Sequence, residues 1–548
     1  MRKRILSAAA LLLSCTIYAQ TDTLRAVVNV NNEYDPVLIK VNKKSFMPST
    51  GNDTRRRAPQ YEFTSEAIPY GGFVSERNSI EMLQEQEMPH NGYARAGYGT
   101  ANCLDLKLAY RRDLTARDNI RFAAAMDGFK TGNNGTFGNW DSRMYNSMAD
   151  LGYTHLFNGL ELGIEGDFNN RVFNYQKAGF THNATDKQNS MNYGVRLKGA
   201  SMLDGMFGYS FDAAFAHSGR KYSCDMERGI AEYRIGVGGS TWYTIDNINI
   251  KKVGIRISAD AFLYNDILRK AMNPYENYVS VDIDPYIDFS SGGWALRLGT
   301  RMNILTANGS AFAIAPDIML QKDFANNISI YAKATGGRTD NSFSRVESIA
   351  PYWGYEDGMS RQLKPTYRIV DATLGSTFTH KSLSVEATAG YAYTKDDLLQ
   401  TMEISSNAYI YSNFVQKNTH NAHASARVGY DFGGWLKVSG DARYDFWECD
   451  NKDLLVMKPE ITCNVNAELK FFGDLTVNAG YNFTQFTKSE EGKRVNFKND
   501  VNLRLSYRIT PRLGVYIQGH NLLNDNYYEY AGYETLGARG LLGVTANF

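Results

Sequence analysis

Few side chains of this chain combine a reactive type with the spacing that chemistry needs. His420 and His423 are three residues apart, which on an extended chain places them on opposite faces. They are therefore not expected to share a metal ion. No context that suggests catalysis contains paired carboxylates, a Ser-His-acid arrangement or a His-x-x-x-His spacing. The sequence predicts no catalytic residue, no metal site and no enzymatic activity.

The cysteines give no reason to expect a cofactor. Beyond the first residues they are Cys103, Cys224, Cys449 and Cys463, with no C-x-x-C pair and no ligand-like spacing to histidine, so neither zinc nor redox chemistry is indicated. Cys449 and Cys463 flank one hairpin loop, but alternation along the strands turns one inward and the other outward, which argues against a disulfide. A net charge of +1 gives no indication of a nucleic-acid partner.

Two aromatic loops are the remaining candidate sites. The loop 338–364 contains Tyr352, Trp353, Tyr355 and Glu356, an aromatic and acidic cluster that could stack on a sugar or grip a partner lipoprotein. Tyr527 and Tyr528 begin a similar tyrosine-rich run in the last loop. The competing interpretation for both is ordinary packing of a tyrosine-rich loop, or a belt of aromatic side chains at a membrane surface.

These loops connect segments whose side chains alternate strictly. Leu475, Val477, Ala479, Tyr481 and Phe483 occupy one face of an extended segment, and polar residues occupy the other. This period of two is that of a β-strand with two different environments. Composition agrees, because 48 Gly and 36 Tyr among 548 residues favour β structure, and no stretch after the first residues approaches the roughly 18 apolar residues of a membrane helix.

Tight turns and longer polar loops alternate along the chain. Short turns on one side and long loops on the other are typical of an outer-membrane barrel, with periplasmic turns and extracellular loops. Trp294 and Trp435 each follow a Gly-Gly turn, where an interfacial aromatic girdle would place them. The tight turns lie near 158–159, 204–205, 246–247, 292–293, 326–327, 380–381, 433–434, 473–474 and 510–511.

The pattern predicts an all-β fold, a transmembrane antiparallel barrel of about 22 strands over residues 93–548. An even count returns both termini to the periplasmic side. The predicted strands are 93–99, 102–112, 119–129, 144–157, 160–174, 189–202, 206–217, 228–245, 250–265, 277–289, 292–305, 311–323, 326–337, 366–379, 383–395, 421–432, 435–447, 460–471, 474–485, 500–509, 511–521 and 540–548.

The first residues have the features of an export signal. Arg2, Lys3 and Arg4 precede the apolar run Ile5 to Leu13, and Tyr18-Ala19-Gln20 offers a cleavage site, so residues 1–19 are interpreted as a signal peptide. Leu12-Leu13-Ser14-Cys15 also resembles a lipobox, which would make Cys15 a lipid-modified N-terminus. Both interpretations remain open.

The run from Val515 to Tyr528, with Asn521-Leu522-Leu523-Asn524 followed by tyrosines, resembles the penultimate strand and loop of TonB-dependent receptors. The resemblance implies a 22-stranded barrel and energised import of bulky ligands such as metal chelates, cobalamin or glycans. The terminal strand ending in Phe548 resembles the signal that hands barrels to the outer-membrane assembly machinery. Such receptors also hold a plug domain in the lumen.

Residues 20–92 depart from the family, because they are too few for that plug. They are expected to form a shortened plug or a periplasmic tail. Leu24 to Val30 has the apolar look of a TonB box, although many strands begin in the same way. Arg55-Arg56-Arg57 lies in a polar stretch that is better interpreted as a solvated tail, and Ile80 to Met88 could form a short helix.

The leading hypothesis is therefore an outer-membrane barrel that transports or admits a solute. The alternative is a non-transporting scaffold that anchors lipoproteins or assembly factors. Expected partners are outer-membrane lipids and lipopolysaccharide, the barrel assembly machinery, and either TonB or a surface lipoprotein. Inward-facing arginines and aspartates are expected to pair across strands and brace the wall; they are Arg256, Arg297, Arg301, Arg443, Arg504 and Arg508, with Asp260, Asp441, Asp445 and Asp500.

Overall fold

The structure is a computed structural model that describes most of the chain after the first ninety residues. The described residues are 91–548 except 136–137, 178–186, 203–205, 221–228, 246–249, 267–274, 325–326, 355–361, 406–407, 472 and 496. The predicted segments at 1–19, 24–30, 55–57 and 80–88 lie outside them.

The described residues form strands almost exclusively. Two short 3₁₀ helices, Thr100–Asn102 and Lys452–Leu455, and one α-helix, α1, at Phe343–Ile349, interrupt them. The strands are β1 Gly92–Gly99, β2 Leu104–Asp113, β3 Asp118–Gly135, β4 Gly138–Leu156, β5 Leu160–Phe173, β6 Gln176–Lys177, β7 Gln188–Ser201, β8 Phe207–Arg220, β9 Ile230–Thr244, β10 Ile250–Asp266, β11 Tyr278–Ser291, β12 Trp294–Leu305, β13 Phe312–Phe324, β14 Ile328–Thr339, β15 Thr366–His380, β16 Leu383–Ile404, β17 Tyr409–Asp431, β18 Leu436–Glu448, β19 Pro459–Phe471, β20 Leu475–Phe486, β21 Lys498–Arg508, β22 Leu513–His520, β23 Tyr528–Tyr530, β24 Tyr533–Glu534 and β25 Arg539–Asn547.

The long strands close into a barrel. Each pairs antiparallel with its neighbours, and β1 pairs with β25 to close the ring. Without the short strands β6, β23 and β24, the ring formed by the described residues has 22 strands, which confirms the predicted fold class. Closure satisfies every ladder hydrogen bond around the wall, as a hydrocarbon solvent requires. Gly92 N donates to Phe548 O at 2.7 Å, so the two ends of the ring meet on the side of the short turns.

The two faces of the wall differ in chemistry, as the alternation predicts. Leu505 and Tyr507 of β21 point outward and are 36% and 51% exposed. Asn502 and Arg504 of the same strand point inward and are buried. Trp294 lies on the outer face beside a short turn and is 48% exposed, and Trp435 lies in a short turn, 53% exposed, with its ring centroid 6.4 Å from that of Phe432, so both are at the level where the girdle was predicted. An apolar outer surface and a polar inner one indicate hydrocarbon outside and water inside.

Outward aromatic rings mark two levels on the wall. On β9 these are Tyr233 and Tyr243, and on β17 they are His420, stacked on Tyr393 at 4.7 Å, and Tyr430. The rings of each pair are ten residues apart in the sequence, which at about 3.3 Å per residue and a tilt of about 40° corresponds to about 25 Å. This is the height of the apolar band of an outer-membrane barrel.

The wall is not equally tall all round. β16 and β17 have 22 and 23 residues, and β17 extends from His420 up to Tyr409, beyond the upper aromatic level. β22, β25 and β1 have only 8, 9 and 8 residues. The predicted strand 421–432 therefore covers only the lower half of β17.

Other sequence predictions can be checked directly. Cys103, Cys449 and Cys463 form no disulfide, so Cys449 and Cys463 are not joined; Cys224 lies outside the described residues. No α-helix in the part of the chain that the structure describes is long and apolar enough to cross a membrane.

Candidate functional site

The loop between β14 and β15 folds inward and lies across the open end of the barrel. We call residues 340–354 the mouth segment; it contains α1. Ser342 begins the helix, because its hydroxyl accepts a hydrogen bond from Arg345 N at 3.4 Å, a common N-terminal cap. Phe343 and Val346 of α1 are buried. The mouth segment is therefore a packed part of the molecule.

Glu232 of β9 holds the first turn of α1. Its carboxylate accepts hydrogen bonds from Phe343 N at 2.6 Å, from Ser344 Oγ at 2.7 Å and from Tyr264 OH at 2.9 Å. A carboxylate beside a helix N-terminus is stabilised by the free backbone N–H groups there. The barrel wall thus supplies the acceptor that fixes one end of the mouth segment.

Arg220 of β8 holds the other end. Its Nη1 lies 2.8 Å from Glu347 Oε1, with the two side chains 0% and 2% exposed. Its Nη2 donates to Trp353 O at 2.6 Å. Burial raises the pKa of Glu347, against the opposing effect of the Arg220 charge. Removing one partner of a buried ion pair costs about 3–5 kcal/mol, because the other charge stays buried.

Tyr352 and Trp353, two of the predicted site residues, are buried within this closure. Tyr352 stacks on Tyr533 of the last loop, with ring centroids 3.6 Å apart and planes 6° from parallel. The Trp353 ring packs on Phe343 at 5.6 Å. Burial raises the pKa of Tyr352 well above its ordinary value. In this conformation the two rings pack loop against loop and wall and present no stacking face to solvent.

The closure reaches across the whole barrel. Gln176 and Lys177 of β6, which directly follow β5, pair antiparallel with Ile410 and Tyr409 at the top of β17. Around the ring, ten strands separate β5 from β17 in either direction, β7 to β16 on one side and β18 to β22, β25 and β1 to β4 on the other. The two strands are therefore diametrically opposite. Trp353 adds a parallel bridge to Ser412.

The last loop contributes the second predicted cluster. Tyr527 is 1% exposed; its hydroxyl donates to Asp500 Oδ2 at 3.4 Å, and the Lys498 ammonium lies 5.3 Å from its ring centroid. Tyr528 is half-buried and opens the short hairpin of β23 and β24. Tyr355 and Glu356 lie outside the described residues. The structure thus brings together Tyr352, Trp353 and the tyrosine-rich last loop, which sequence analysis had treated as separate sites.

The predicted lumen ladder is formed with partly different partners. Arg297 pairs with Asp288 at 2.7 Å, Arg301 with Asp317 at 3.8 Å, and Arg443 with Asp445 on its own strand at 2.7 Å. Asp260 pairs with Arg234 instead of Arg256. Asp441 accepts from Asn464. Within the described ranges, no group of three His, Cys, Asp or Glu side chains could hold a metal ion.

Sequence analysis did not single out Arg220, Glu232 or Glu347. Phe343 and Glu232 are 111 residues apart in the chain, and Arg220 and Trp353 are 133 residues apart. Each charged residue looks like an ordinary strand end or loop residue when viewed alone. Only an indication that the 338–364 loop folds inward would have connected them.

Comparison with solved structures extends the fold assignment. The ferric-catecholate import receptor Fiu of E. coli K12, in its closed form, is 10% identical and aligns with a TM-score of 0.60 over 84% of this chain and 83% of its own. The FrpB iron transporter of Neisseria meningitidis, F3-3 variant, is 11% identical with a TM-score of 0.64 over 86% and 83%. P. aeruginosa FpvA bound to pyoverdines is 12% identical with a TM-score of 0.63 over 84% and 72%. No protein-family model and no curated protein matches the sequence.

Proposed function

We propose that this chain, whose barrel has the fold of TonB-dependent receptors, lies in a bacterial outer membrane and admits a solute through its lumen. The observation that carries the proposal is the mouth segment: one end of a polar lumen is closed by a segment fastened to the wall through side chains. Such a closure opens by exchanging hydrogen bonds and one ion pair.

The polar inner wall supports a water-filled path. Arg297, Asp288, Arg443 and Asp445 face the lumen as paired charges, which would be costly against hydrocarbon. Solved structures with this fold include a ferric-catecholate import receptor, a copper transporter and an iron transporter. Transport of a bulky solute is consistent with that likeness.

Conductance in planar bilayers tests the proposal. The purified chain is compared with a variant in which 341–354 is replaced by a Gly-Ser linker, and with a control in which the exposed loop 488–493 is replaced in the same way. The linker variant is expected to conduct ions in stable steps, while the wild type and the control stay closed for most of the recording. If all three remain silent, the transport proposal fails.

Residues 20–92 bear on the same path. In this proposal they are a shortened lumen insert that follows a cleaved signal peptide. A variant lacking 20–92 is expected to add conductance to the 341–354 replacement. A deletion that leaves the conductance of that replacement unchanged would place the segment below the barrel as a tail. Mass spectrometry of the mature N-terminus distinguishes cleavage after Ala19 from lipid modification at Cys15.

One observation favours a second candidate, a scaffold barrel. Among the described residues, β6 and β17 tie the mouth across its diameter and the aromatic rings there are buried, as in a barrel that stays closed. A scaffold would keep that closure permanently and use the outer loops to hold a lipoprotein. Purification in mild detergent separates the two: stoichiometric co-purification of a lipoprotein, together with a silent linker variant, would support the scaffold.

A further inference from the structure

The seam where the barrel closes has a short ladder. β1 and β25 pair from Tyr93 and Asn547 to Gly99 and Leu541, seven residues on each strand. By contrast, β16 and β17 pair from Leu383 and Tyr430 to Ile404 and Ile410. The seam strands also contain Gly97, Gly99, Gly540 and Gly543, which weaken a strand because they offer no side chain to pack.

The wall at the seam is also low. Eight residues of β1 at about 3.3 Å each and a tilt of about 40° reach about 20 Å, slightly less than the apolar band of about 25 Å. The outer leaflet is therefore expected to thin or to meet the upper edge of the seam. The seam thus lies in a low part of the wall, which also includes β22 with 8 residues and its six-residue ladder to β21.

One tyrosine fastens the seam on its lumen side. Tyr516 of β22 lies over Gly543 of β25 and Gly97 of β1; a Cβ atom built on Gly543 would lie 2.4 Å from its ring. Its hydroxyl then donates to Asp105 Oδ2 of β2 at 2.8 Å. Tyr516 thus crosses both seam strands and connects the strands on either side of them.

We call the Tyr516 side chain the strap, and a cationic group lies directly behind it. The Arg504 guanidinium packs 4.2 Å from the centroid of the Tyr516 ring and is 1% exposed. Its Nε and Nη2 find no acceptor among the described residues. Arg95 next to it is paired with Asp105 at 2.8 Å. Buried guanidinium donors without an acceptor favour an anion, above all a carboxylate or phosphate that can accept from both.

We propose that the β1–β25 seam opens sideways into the bilayer and admits an amphiphile that carries an acyl chain and an anionic head group. The acyl chain stays in the hydrocarbon, and the head group enters the lumen to meet Arg504, which opening uncovers. The mouth segment and the β6–β17 tie obstruct the alternative route through the loops. The inference rests on the proposed function in treating the lumen as the path of the solute.

The test asks whether a reactive group confined to the bilayer reaches the lumen. Lys107, a half-buried inward residue of β2 opposite Arg95, is changed in a chain whose native cysteines are replaced by alanine (K107C). Vesicles contain a phospholipid with a maleimide on its head group, which the acyl chains keep at the bilayer. A water-soluble maleimide reports separately that the thiol is reactive from the lumen.

Two matched disulfides decide the route. A94C with A546C locks the seam at registered, outward alanines, and A387C with A426C does the same between β16 and β17. The seam lock is expected to slow lipid-borne labelling of K107C by roughly tenfold or more, because opening becomes impossible. The β16–β17 lock should leave it unchanged. Equal labelling with the seam locked and unlocked overturns the proposal, as does no lipid-borne labelling of a thiol that the soluble reagent reaches.

The strap gives a second, opposite change. Y516F removes the hydrogen bond to Asp105 and should raise lipid-borne labelling by roughly threefold to tenfold. Y331F is the control, since Tyr331 of β14 lies over Gly375 and donates to Glu386 of β16 at 3.0 Å in the same manner, away from the seam. Equal rises in both variants would show general loosening and overturn the role of the strap.

The head-group preference is tested by native mass spectrometry after mixing with phosphatidylglycerol and phosphatidylcholine. The wild type should retain the anionic lipid preferentially, and R504Q should lose that preference. R427Q, on β17 four strands from β21, where Arg427 is mostly exposed, should retain it. These readouts need no ion current. If the bilayer recording is silent while seam labelling persists, the conducting-path proposal fails and the seam proposal stands. Retention of both lipids in equal amounts by the wild type overturns the anionic head group.

Discussion

The mouth and the seam both close the lumen, but different interactions hold them closed. At the mouth, α1 is fixed at both ends by buried charges, Glu232 and Arg220, and its rings pack into the walls. At the seam, two glycine-containing strands are held by a seven-residue ladder, by one tyrosine, and by flanking hydrogen bonds between Gly92 and Phe548 and between Thr100 and Gly540. A closure that depends on a buried ion pair is sensitive to single substitutions, whereas a short ladder opens by exchanging a few hydrogen bonds.

Strand length also differs between the two sides of the barrel. The tall wall of β16 and β17 carries the top residues Tyr409, Ile410 and Tyr411, which pack in the mouth. The short strands at the seam carry no such extension. Because strand length is uneven, the tall side of the barrel contributes to closing its end, and the low side is where the proposed access from the bilayer lies.

The largest effect is expected at the mouth. R220A leaves Glu347 buried without its partner, at a cost of about 3–5 kcal/mol. Amide exchange of α1 should accelerate on the order of 10²–10³-fold, measured by hydrogen–deuterium exchange in nanodiscs. The double variant R220A with E347A removes both charges and should recover part of that loss. R427A, which breaks a largely exposed pair with Glu386, is the control. A double variant as unprotected as R220A would contradict the ion-pair explanation.

A smaller effect is expected at the seam. In G543A the new methyl group would lie 2.4 Å from Tyr516 Cε1 and 2.6 Å from Ala96 O, which is overpacking of about 1–3 kcal/mol. Exchange of the β1 and β25 amides should rise while that of α1 stays constant. G440A, whose Cβ would meet nothing nearer than 3.5 Å, should change neither. Unchanged seam exchange in G543A would mean that Tyr516 yields without loosening the ladder.

A third variant weakens the mouth without touching its charges. Tyr533 donates to Ile410 O and accepts from Gln176 N at 3.2 Å, so Y533F leaves two buried backbone groups with fewer partners. The expected cost is about 1–2 kcal/mol, seen as exchange of α1 and β6 that is roughly five to thirty times faster. Y507F, on the exposed outer face, is the matched control. Protection equal to the wild type would show that the tyrosine stack alone fixes this loop.

The smallest effect is expected at an exposed pair outside both closures. Lys493 and Glu491 lie 2.6 Å apart with side chains 80% and 71% exposed, and such pairs contribute less than about 1 kcal/mol. K493A should leave α1 exchange, seam exchange and the urea midpoint unchanged. A measurable loss of mouth protection in K493A would mean that general loop charge, and not the buried pair, controls closure.

Much of the wall could be predicted because two solvents impose a period of two. The predicted strand 474–485 differs from β20 by one residue at each end, since its outward and inward residues alternate without a break. The upper half of β17 was missed for a physical reason. From Ser412 to Thr419 the chain stands above the apolar band, where no outer face needs to be apolar and the alternation disappears.

The mouth could be predicted only as a cluster of residue types. Tyr352 and Trp353 were recognisable as aromatic loop residues, and the structure places both in the closure. Their inward packing depends on Arg220 and Glu232, more than a hundred residues earlier in the chain. No local pattern encodes that contact, because it follows from ring closure, which brings the ends of distant strands to one opening.

The pairing of β6 with β17 has a mechanical consequence. It ties two opposite points of a ring, so the ring resists widening along that line and deforms most easily at right angles to it. Five strands, β18 to β22, lie on one side of that perpendicular position, and five, β25 and β1 to β4, lie on the other. The easy direction of deformation therefore meets the wall at two opposite places, between β11 and β12 and between β22 and β25, and the latter is one strand from the β1–β25 ladder. Lateral pressure from the surrounding lipid would be concentrated there for as long as the tie is intact.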